Sequence, residues 1–141
     1  MMPELVKKYA DTGKVKIVWH DFAWIGNESR QAAQAARCAG RQSKFWEYHD
    51  YLFSHQRGEN QGQFNSANLK RFASDLGLDA TAFGACLDKA EDLGAIQSDL
   101  AAGRSLGVRS TPGFVIAGQV FGASPTALVA ALDAAIARAG A

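Results

Sequence analysis

The order of hydrophobic and polar positions divides the chain into a short helix, a strand, a helical block, a hairpin and a final helix. In residues 3–10 the apolar side chains recur at helical spacing, which predicts a helix that ends near Gly13. Residues 15–22 are dense in β-branched and aromatic side chains and partly alternate with polar ones, which predicts the first strand. The pattern turns helical at Glu28 and stays helical to about Gly107.

The helical block contains several helices and one polar loop. Glycine, asparagine and glutamine are frequent from Arg57 to Asn65, which is typical of a loop. Ser66 and Asp79 are the expected N-caps of two helices, because their side chains can accept hydrogen bonds from unpaired amides. The predicted helices cover an alanine-rich segment around 32–39, an aromatic segment around 45–53, and the ranges 67–76, 80–89 and 93–106.

A proline leads into the predicted hairpin. Pro112 stands just before the apolar run 114–117, and because proline cannot donate to a sheet ladder it belongs at the start of a strand. The bond from Thr111 to Pro112 is either cis, which would suit this entry, or an ordinary trans turn. The return strand covers residues 119–121, and Ser124-Pro125 supplies an N-cap and a first helical residue for the final helix.

Composition and charge exclude several classes of function. The chain has 141 residues, which is enough for one domain with a single core. Its 15 Lys and Arg balance 14 Asp and Glu to a net charge of +1, so a nucleic acid is not expected as a partner. No apolar stretch has the length of a membrane span, and the first residues lack the apolar core of a signal peptide. We expect no cofactor and no metal, since His20, His49 and His55 lie apart from any zinc-type ligand pattern.

Several segments together resemble the DsbA-like branch of the thioredoxin superfamily. They are WHDF at 19–22, ESR at 28–30, AARCA at 35–39, KFWEYHDYLF at 44–53, FGACLD at 83–88 and GVRSTPGFVIAG at 107–118. The resemblance implies an α/β, thioredoxin-like fold with an inserted all-helical subdomain. It implies a single DsbA-like domain over residues 1–141, in which 1–27 and 107–141 form the thioredoxin-like part and 28–106 form the insertion.

The catalytic motif of that family does not occur in this sequence. In the family a strand and a Cys-x-x-Cys at a helix amino end precede the region matched here, so the fold is expected to be incomplete and Met1 to be a truncated or misassigned start. Exchange needs a thiolate activated at such a helix end, so no catalytic residue is assigned. The resemblance implies a thiol-disulfide oxidoreductase, for disulfide formation or isomerisation, that is inactive as written. The alternative is a redox-dead module that binds peptides or oligomerises.

Thr111 and Pro112 are the substrate-binding residues that the resemblance implies. In the family the residue before the cis proline offers its backbone to a bound peptide, much as an edge strand would. The implied partners are thiols and disulfides of exported proteins and a membrane, quinone-linked oxidase. The absent strand would lie between the first strand and the hairpin, so the chain as written is expected to re-pair its strands, swap strands or form a homodimer.

The two cysteines, Cys38 and Cys86, are 48 positions apart, too far for a two-residue redox loop. Both lie in predicted helices among apolar residues. Some DsbA-like proteins carry a structural disulfide in the helical block, and the resemblance implies such a pair here; the alternative is two buried free thiols. A bridge would indicate an oxidising compartment, in keeping with the periplasmic or cell-surface location that the family implies.

Asp21 and a set of aromatic residues are interpreted as structural. Asp21 is either a partly buried acid near an active site or a strand-end residue that faces water, and the second interpretation is favoured. The aromatic residues could line a peptide groove, but side chains at this spacing are more often core. They are Trp19, Trp24, Phe45 and Trp46.

Overall fold

The computed structural model describes residues 1–140 and divides them into two compact units. The helical unit comprises residues 21–100, and the hairpin unit comprises residues 1–20 with the segment from Ala101 onward. The elements are α1 (Met2–Leu5), a π-helical turn (Val6–Ala10), α2 (Gly26–Gly40), α3 (Phe45–Ser54), α4 (Ser66–Asp75), α5 (Ala80–Lys89), α6 (Leu93–Ser105), β1 (Phe114–Ile116), β2 (Gln119–Phe121) and α7 (Pro125–Ala139). Among the described residues, no helix combines the length and the apolar composition that crossing a bilayer requires.

The helical unit is built around the alanine-rich face of α2. Ala35 and Ala39 are fully buried, and their small side chains let α3 and α5 pack closely against α2. Larger side chains from α3, α4 and α5 fill the rest of this core; the largest are Tyr48, Leu69, Phe72 and Phe83. The helical periodicity of the sequence arises from this shared core, and the helices predicted within the block are confirmed.

Side-chain caps fix the starts of three helices. Asp79 and Ser124 each accept a hydrogen bond from the amide three residues later, as predicted. The predicted cap of α4 is wrong by one residue. Asn65 is the N-cap and Ser66 is the first helical residue, because the Asn65 side chain accepts the bond from the Asn68 amide.

In the hairpin unit, β1 and β2 form an antiparallel pair whose register places Val115 opposite Val120. The turn residues Ala117 and Gly118 both have positive φ, 48° and 81°, which is the geometry of a two-residue turn that matches the twist of the strands. Alternation along the strands then turns one face of the hairpin toward α7. That face joins a hydrophobic cluster that includes Leu5, Tyr9, Phe114, Ile116, Phe121 and Leu128.

Residues 15–22 do not form the predicted strand. They carry no regular secondary structure, and in the part of the chain that the structure describes the sheet consists of β1 and β2. A strand depends on backbone pairing with a neighbour, and a favourable composition does not replace that partner. The prediction of a strand here is wrong, and the architecture is mostly helical with one small antiparallel sheet.

Removing the Tyr48 hydroxyl tests the core of the helical unit. Tyr48 is fully buried, and its hydroxyl donates a hydrogen bond to the Leu69 carbonyl oxygen at 2.8 Å. Since Tyr48→Phe deletes this donor, we expect the free energy of unfolding in urea to fall by about 1–2 kcal/mol. The matched control is Tyr51→Phe, whose exposed bond to Asp75 should be worth less than about 0.5 kcal/mol. Equal losses of unfolding free energy in the two variants would show that the buried hydrogen bond of Tyr48 adds no more stability than the exposed one of Tyr51.

The same phenol gives a pH dependence. Burial raises the pKa of Tyr48 well above its ordinary value of 10.0. Above about pH 10 the unfolded chain loses this proton while the folded chain keeps it, so stability falls by about 1.4 kcal/mol per pH unit. We expect the stability advantage of the native chain over Tyr48→Phe to shrink between about pH 9 and about pH 11 in urea titrations. If the stability difference between the native chain and Tyr48→Phe stays constant over this range, the pKa of Tyr48 is not raised in the folded chain.

Candidate functional site

The segment Thr111-Pro112 precedes β1 and is separated from it by Gly113. Both residues are exposed, and the peptide bond between them is cis. An exposed strand entry is a position at which a second extended segment can pair with the backbone. The structure therefore places the predicted substrate-binding residues on the surface of the hairpin unit.

Gly113 holds this segment close to the rest of the hairpin unit. A Cβ atom at position 113 would lie 2.8 Å from Val108 Cγ1 and 3.2 Å from the Ser110 carbonyl oxygen. Val108 is buried, so the side chain in the way has little room to move. Gly113 is exposed like Thr111 and Pro112, but the side of its backbone that faces Val108 and Ser110 has no room for a Cβ atom.

Both cysteines lie in the helical unit and are joined to each other. Cys38 of α2 and Cys86 of α5 form a disulfide with an S–S distance of 2.08 Å and a Cα–Cα distance of 5.8 Å. Of the two alternatives left open by the sequence, the structure contains the bridge and not the pair of free thiols. The disulfide cross-links two helices that already pack against each other.

Gln34 and Asp92 lie beside the sulfur atoms. Gln34 is buried, and its side-chain amide lies 3.3 Å from Cys38 Sγ and 3.8 Å from Cys86 Sγ. Asp92 binds both ends of that amide, accepting from Nε2 at 3.1 Å and donating its backbone N–H to Oε1 at 2.9 Å. The sulfurs and the Asp92 carboxylate lie within 4.8 Å of one another, but disulfide sulfurs are not the thiolates that a metal ion needs.

Arg41 covers the outer side of this cluster. Its guanidinium donates hydrogen bonds to Glu91 and, at 3.0 Å, to both carboxylate oxygens of Asp92. These hydrogen bonds raise the pKa of Arg41 further above its ordinary value. One positive charge here faces two negative charges.

A second arginine connects two acids in the helical unit. Arg37 Nε donates to Asp21 at 2.6 Å, and its NH2 group donates to Asp99 at 2.8 Å. Burial lowers the pKa of Arg37, but its hydrogen bond to Asp21 and the attraction of both acids outweigh that effect and raise it. Asp21 is only 4 % exposed, so the interpretation of Asp21 as a residue that faces water is wrong. The Arg37 guanidinium offsets the cost of burying the Asp21 carboxylate.

The interpretation of the tryptophans as core residues is also wrong. Trp19, Trp24 and Trp46 are all more than 40 % exposed. On α3 the rings of Trp46 and Phe53 pack against the ring of His49, at centroid distances of 5.4 and 4.6 Å. These aromatic side chains therefore contact one another along the helix and are not buried in the core. Phe45 does pack against the core cluster of the helical unit.

Sequence reasoning missed four polar residues of the helical unit. For the two residues on α2, the sequence did contain an indication: Gln34 and Arg37 are polar side chains that interrupt the alanine-rich part of the helix. Side chains of that type on a buried face must find hydrogen-bond partners. No spacing rule, however, connects α2 to the acids some 60 positions later that supply those partners. The four residues are Gln34, Arg37, Asp92 and Asp99.

Comparisons with known proteins concern the family and the fold of the chain. A family model described as Thioredoxin matches residues 1–134. The crystal structure of oxidised BdbD from Bacillus subtilis superposes with a TM-score of 0.85 at 20 % identity, covering 96 % of this chain and 76 % of that one. At this level of identity the likeness to BdbD concerns the fold alone.

Two relatives are similar in sequence. The Na(+)/H(+) antiporter NhaA 3 of Salinispora tropica is 31 % identical over 119 residues, which are 83 % of this chain and 18 % of the antiporter. The probable disulfide bond formation protein D of Bacillus cereus is 30 % identical over 63 residues, which are 43 % of this chain and 29 % of that protein. The chain thus spans less than a third of the length of these relatives.

Replacing Arg37 tests the buried ion cluster. Arg37→Met leaves the buried Asp21 carboxylate without the guanidinium, so we expect the free energy of unfolding in urea to fall by about 3 kcal/mol. The matched control is Arg30→Met on the exposed side of the same helix, with an expected change within about 0.5 kcal/mol. Adding Asp21→Asn to Arg37→Met should recover part of the loss, because the uncompensated charge is then gone. A double variant no more stable than Arg37→Met would contradict this explanation.

Proposed function

The chain belongs to the thioredoxin family, and we propose that it is the client-binding part of a DsbA-like thiol-disulfide oxidoreductase. The family match, the fold shared with BdbD and the likeness to a probable disulfide bond formation protein support this proposal. We propose the division expected from the sequence, with residues 1–27 and 107–141 as the thioredoxin-like part and 28–106 as the inserted helical subdomain. The observation that carries the proposal is the exposed Thr111-Pro112 segment at the entry of β1.

Recognition in this proposal is by backbone pairing. A client peptide lies extended beside Thr111, and main-chain hydrogen bonds give affinity without requiring a fixed client sequence. Such tolerance suits an enzyme that acts on the thiols and disulfides of many exported proteins. The close packing of Gly113 on Val108 keeps the strand entry in place before the peptide arrives, so less ordering entropy is lost on binding.

Exchange with a client needs a reactive thiolate that can attack a disulfide, or a reactive disulfide within reach of the client. The sequence contains two cysteines, and both belong to the largely buried Cys38–Cys86 bridge. We therefore propose that the chain as written binds clients without exchanging their disulfides. In a form that carries a Cys-x-x-Cys, a membrane, quinone-linked oxidase would reoxidise it outside the cytoplasm, where a disulfide such as Cys38–Cys86 persists.

A second candidate function is oligomerisation. Val115 and Val120 are 45 % and 38 % exposed on the hairpin face that is turned away from the cluster of α7. An apolar cross-strand pair on a short hairpin is a surface on which a second copy could pair or swap strands. This candidate predicts an association that depends on protein concentration and needs no peptide.

Peptide binding tests the proposed function. The probe is a synthetic decapeptide with a central S-methylcysteine between valine and leucine, titrated into the chain while amide NMR shifts are recorded. We expect shifts concentrated around Thr111 and β1. Gly113→Ala should weaken the affinity at least about tenfold, because its Cβ would displace the segment from Val108 and Ser110.

The matched control is Gly122→Ala, just after β2, where a Cβ atom would have no neighbour within 4 Å. Its affinity should stay within about twofold of that of the native chain. Equal effects of the two substitutions, or shifts located away from Thr111, would overturn the proposed site. No peptide binding, together with a molecular mass that rises with concentration in light scattering, would favour the oligomerising alternative.

A further inference from the structure

We infer that the Cys38–Cys86 disulfide is an exchange site for small uncharged or cationic thiols, which reach it through a cavity in the helical unit. This site does not depend on client binding at Thr111-Pro112. The cavity is half open to solvent and has a volume of about 240 Å³, room for roughly eight water molecules at about 30 Å³ each, which suits a small thiol and not a folded protein. Its lining includes Cys38, Arg41, Ala82, Ala85, Cys86 and Glu91.

The surroundings of the two sulfurs favour attack on Cys86. Cys86 is 7 % exposed and Cys38 is 1 % exposed. Ala82 and Ala85, on the same helix as Cys86, are exposed and carry only methyl groups, so little bulk stands between solvent and this sulfur. An incoming thiolate therefore meets Cys86 Sγ first, and Cys38 Sγ is the leaving sulfur.

The leaving sulfur has a hydrogen-bond donor in place. Gln34 Nε2 lies 3.3 Å from Cys38 Sγ, closer than the 3.8 Å to Cys86 Sγ. Asp92 holds the Gln34 amide at both ends, so the donor is already oriented toward the sulfur. A donor fixed beside the atom on which negative charge develops stabilises that charge without reorganisation.

The step balances with the small thiol as reductant. The thiolate sulfur forms a bond to Cys86 Sγ, the Cys86–Cys38 bond breaks, and its electron pair leaves on Cys38 Sγ, which then takes a proton from water. A second thiolate attacks the sulfur of the first thiol in the mixed disulfide. The small thiols leave as their disulfide, and Cys86 becomes a thiol, so two electrons pass from the small thiols to the protein.

The charges beside the cavity determine which thiols enter. The guanidinium of Arg41 is paired with the carboxylates of Glu91, in the cavity lining, and of Asp92, which lies within 4.8 Å of the two sulfurs, so these three groups together carry a net charge of −1. A negative rim repels an anionic thiol and attracts a cationic one, and added salt screens both effects. The predicted substrate class is therefore a small thiol that is uncharged or carries an ammonium group.

The experiment follows the oxidised chain with cysteamine, 2-mercaptoethanol or 2-mercaptoethanesulfonate under anaerobic conditions. Samples are quenched in acid, free thiols are labelled with a maleimide, and the two cysteines are mapped by mass spectrometry. We expect the first product to carry the small thiol on Cys86 and the maleimide on Cys38. The rate should be first order in thiol. Divided by the rate of the same thiolate with the neutral 2-hydroxyethyl disulfide, which corrects for differences in nucleophilicity, it should be at least about threefold higher for cysteamine than for the sulfonate, a difference that high salt removes.

Ala85→Leu narrows the cavity from an exposed position and should slow the reaction at least about tenfold. Ala80→Leu, exposed on the same helix and outside the cavity lining, should leave the rate unchanged. A rate independent of thiol concentration would overturn the proposal, since unfolding would then admit the thiol. So would a first adduct on Cys38, or equal rates for the three thiols after each is divided by its rate with the reference disulfide. If Ala85→Leu does not fold, the position of the first adduct in the native chain decides, since an unfolded chain would expose Cys38 and Cys86 alike.

Discussion

The disulfide between Cys38 and Cys86 is the constraint on which the helical unit depends. It joins α2 and α5 at a Cα separation of 5.8 Å, where the small buried side chains of α2 allow the helices to approach. By closing a loop of 48 positions it removes chain entropy from the unfolded state, which corresponds to about 4 kcal/mol of stability. For a domain of this size that is a large share of the total stability.

Two polar networks of the helical unit pair their members with one another, and one of them reaches the cross-link. Gln34 connects the sulfurs to Asp92, and Arg37 connects Asp21 to Asp99. Within residues 1–140 no buried side-chain nitrogen or oxygen lacks a hydrogen-bond partner. Buried polar networks of this completeness specify one arrangement of the helices. The disulfide thus belongs to the helical unit, while the proposed client recognition belongs to the hairpin unit.

The success of sequence reasoning depended on whether a feature is local. Helices such as α3 and α5 were predictable because hydrophobic periodicity and caps such as Asp79 act within a few residues. Whether residues 15–22 form a strand was not predictable, because a strand requires backbone pairing with a neighbouring strand, and the composition of the segment does not show whether that neighbour is present. Asp21 was misjudged for the same reason, since its burial depends on Arg37, which is distant in sequence.

Hydrogen exchange with and without a phosphine reductant measures how far the disulfide holds the helical unit together. If the disulfide holds the helical unit together, reduction should speed amide exchange in α2 and α5 by up to about a thousandfold, as expected for a loss of about 4 kcal/mol. The amides of β1, β2 and α7 should keep their protection, because their hydrophobic cluster contains neither cysteine. Unchanged protection in α2 and α5 after complete reduction would show that the helical unit does not depend on the disulfide.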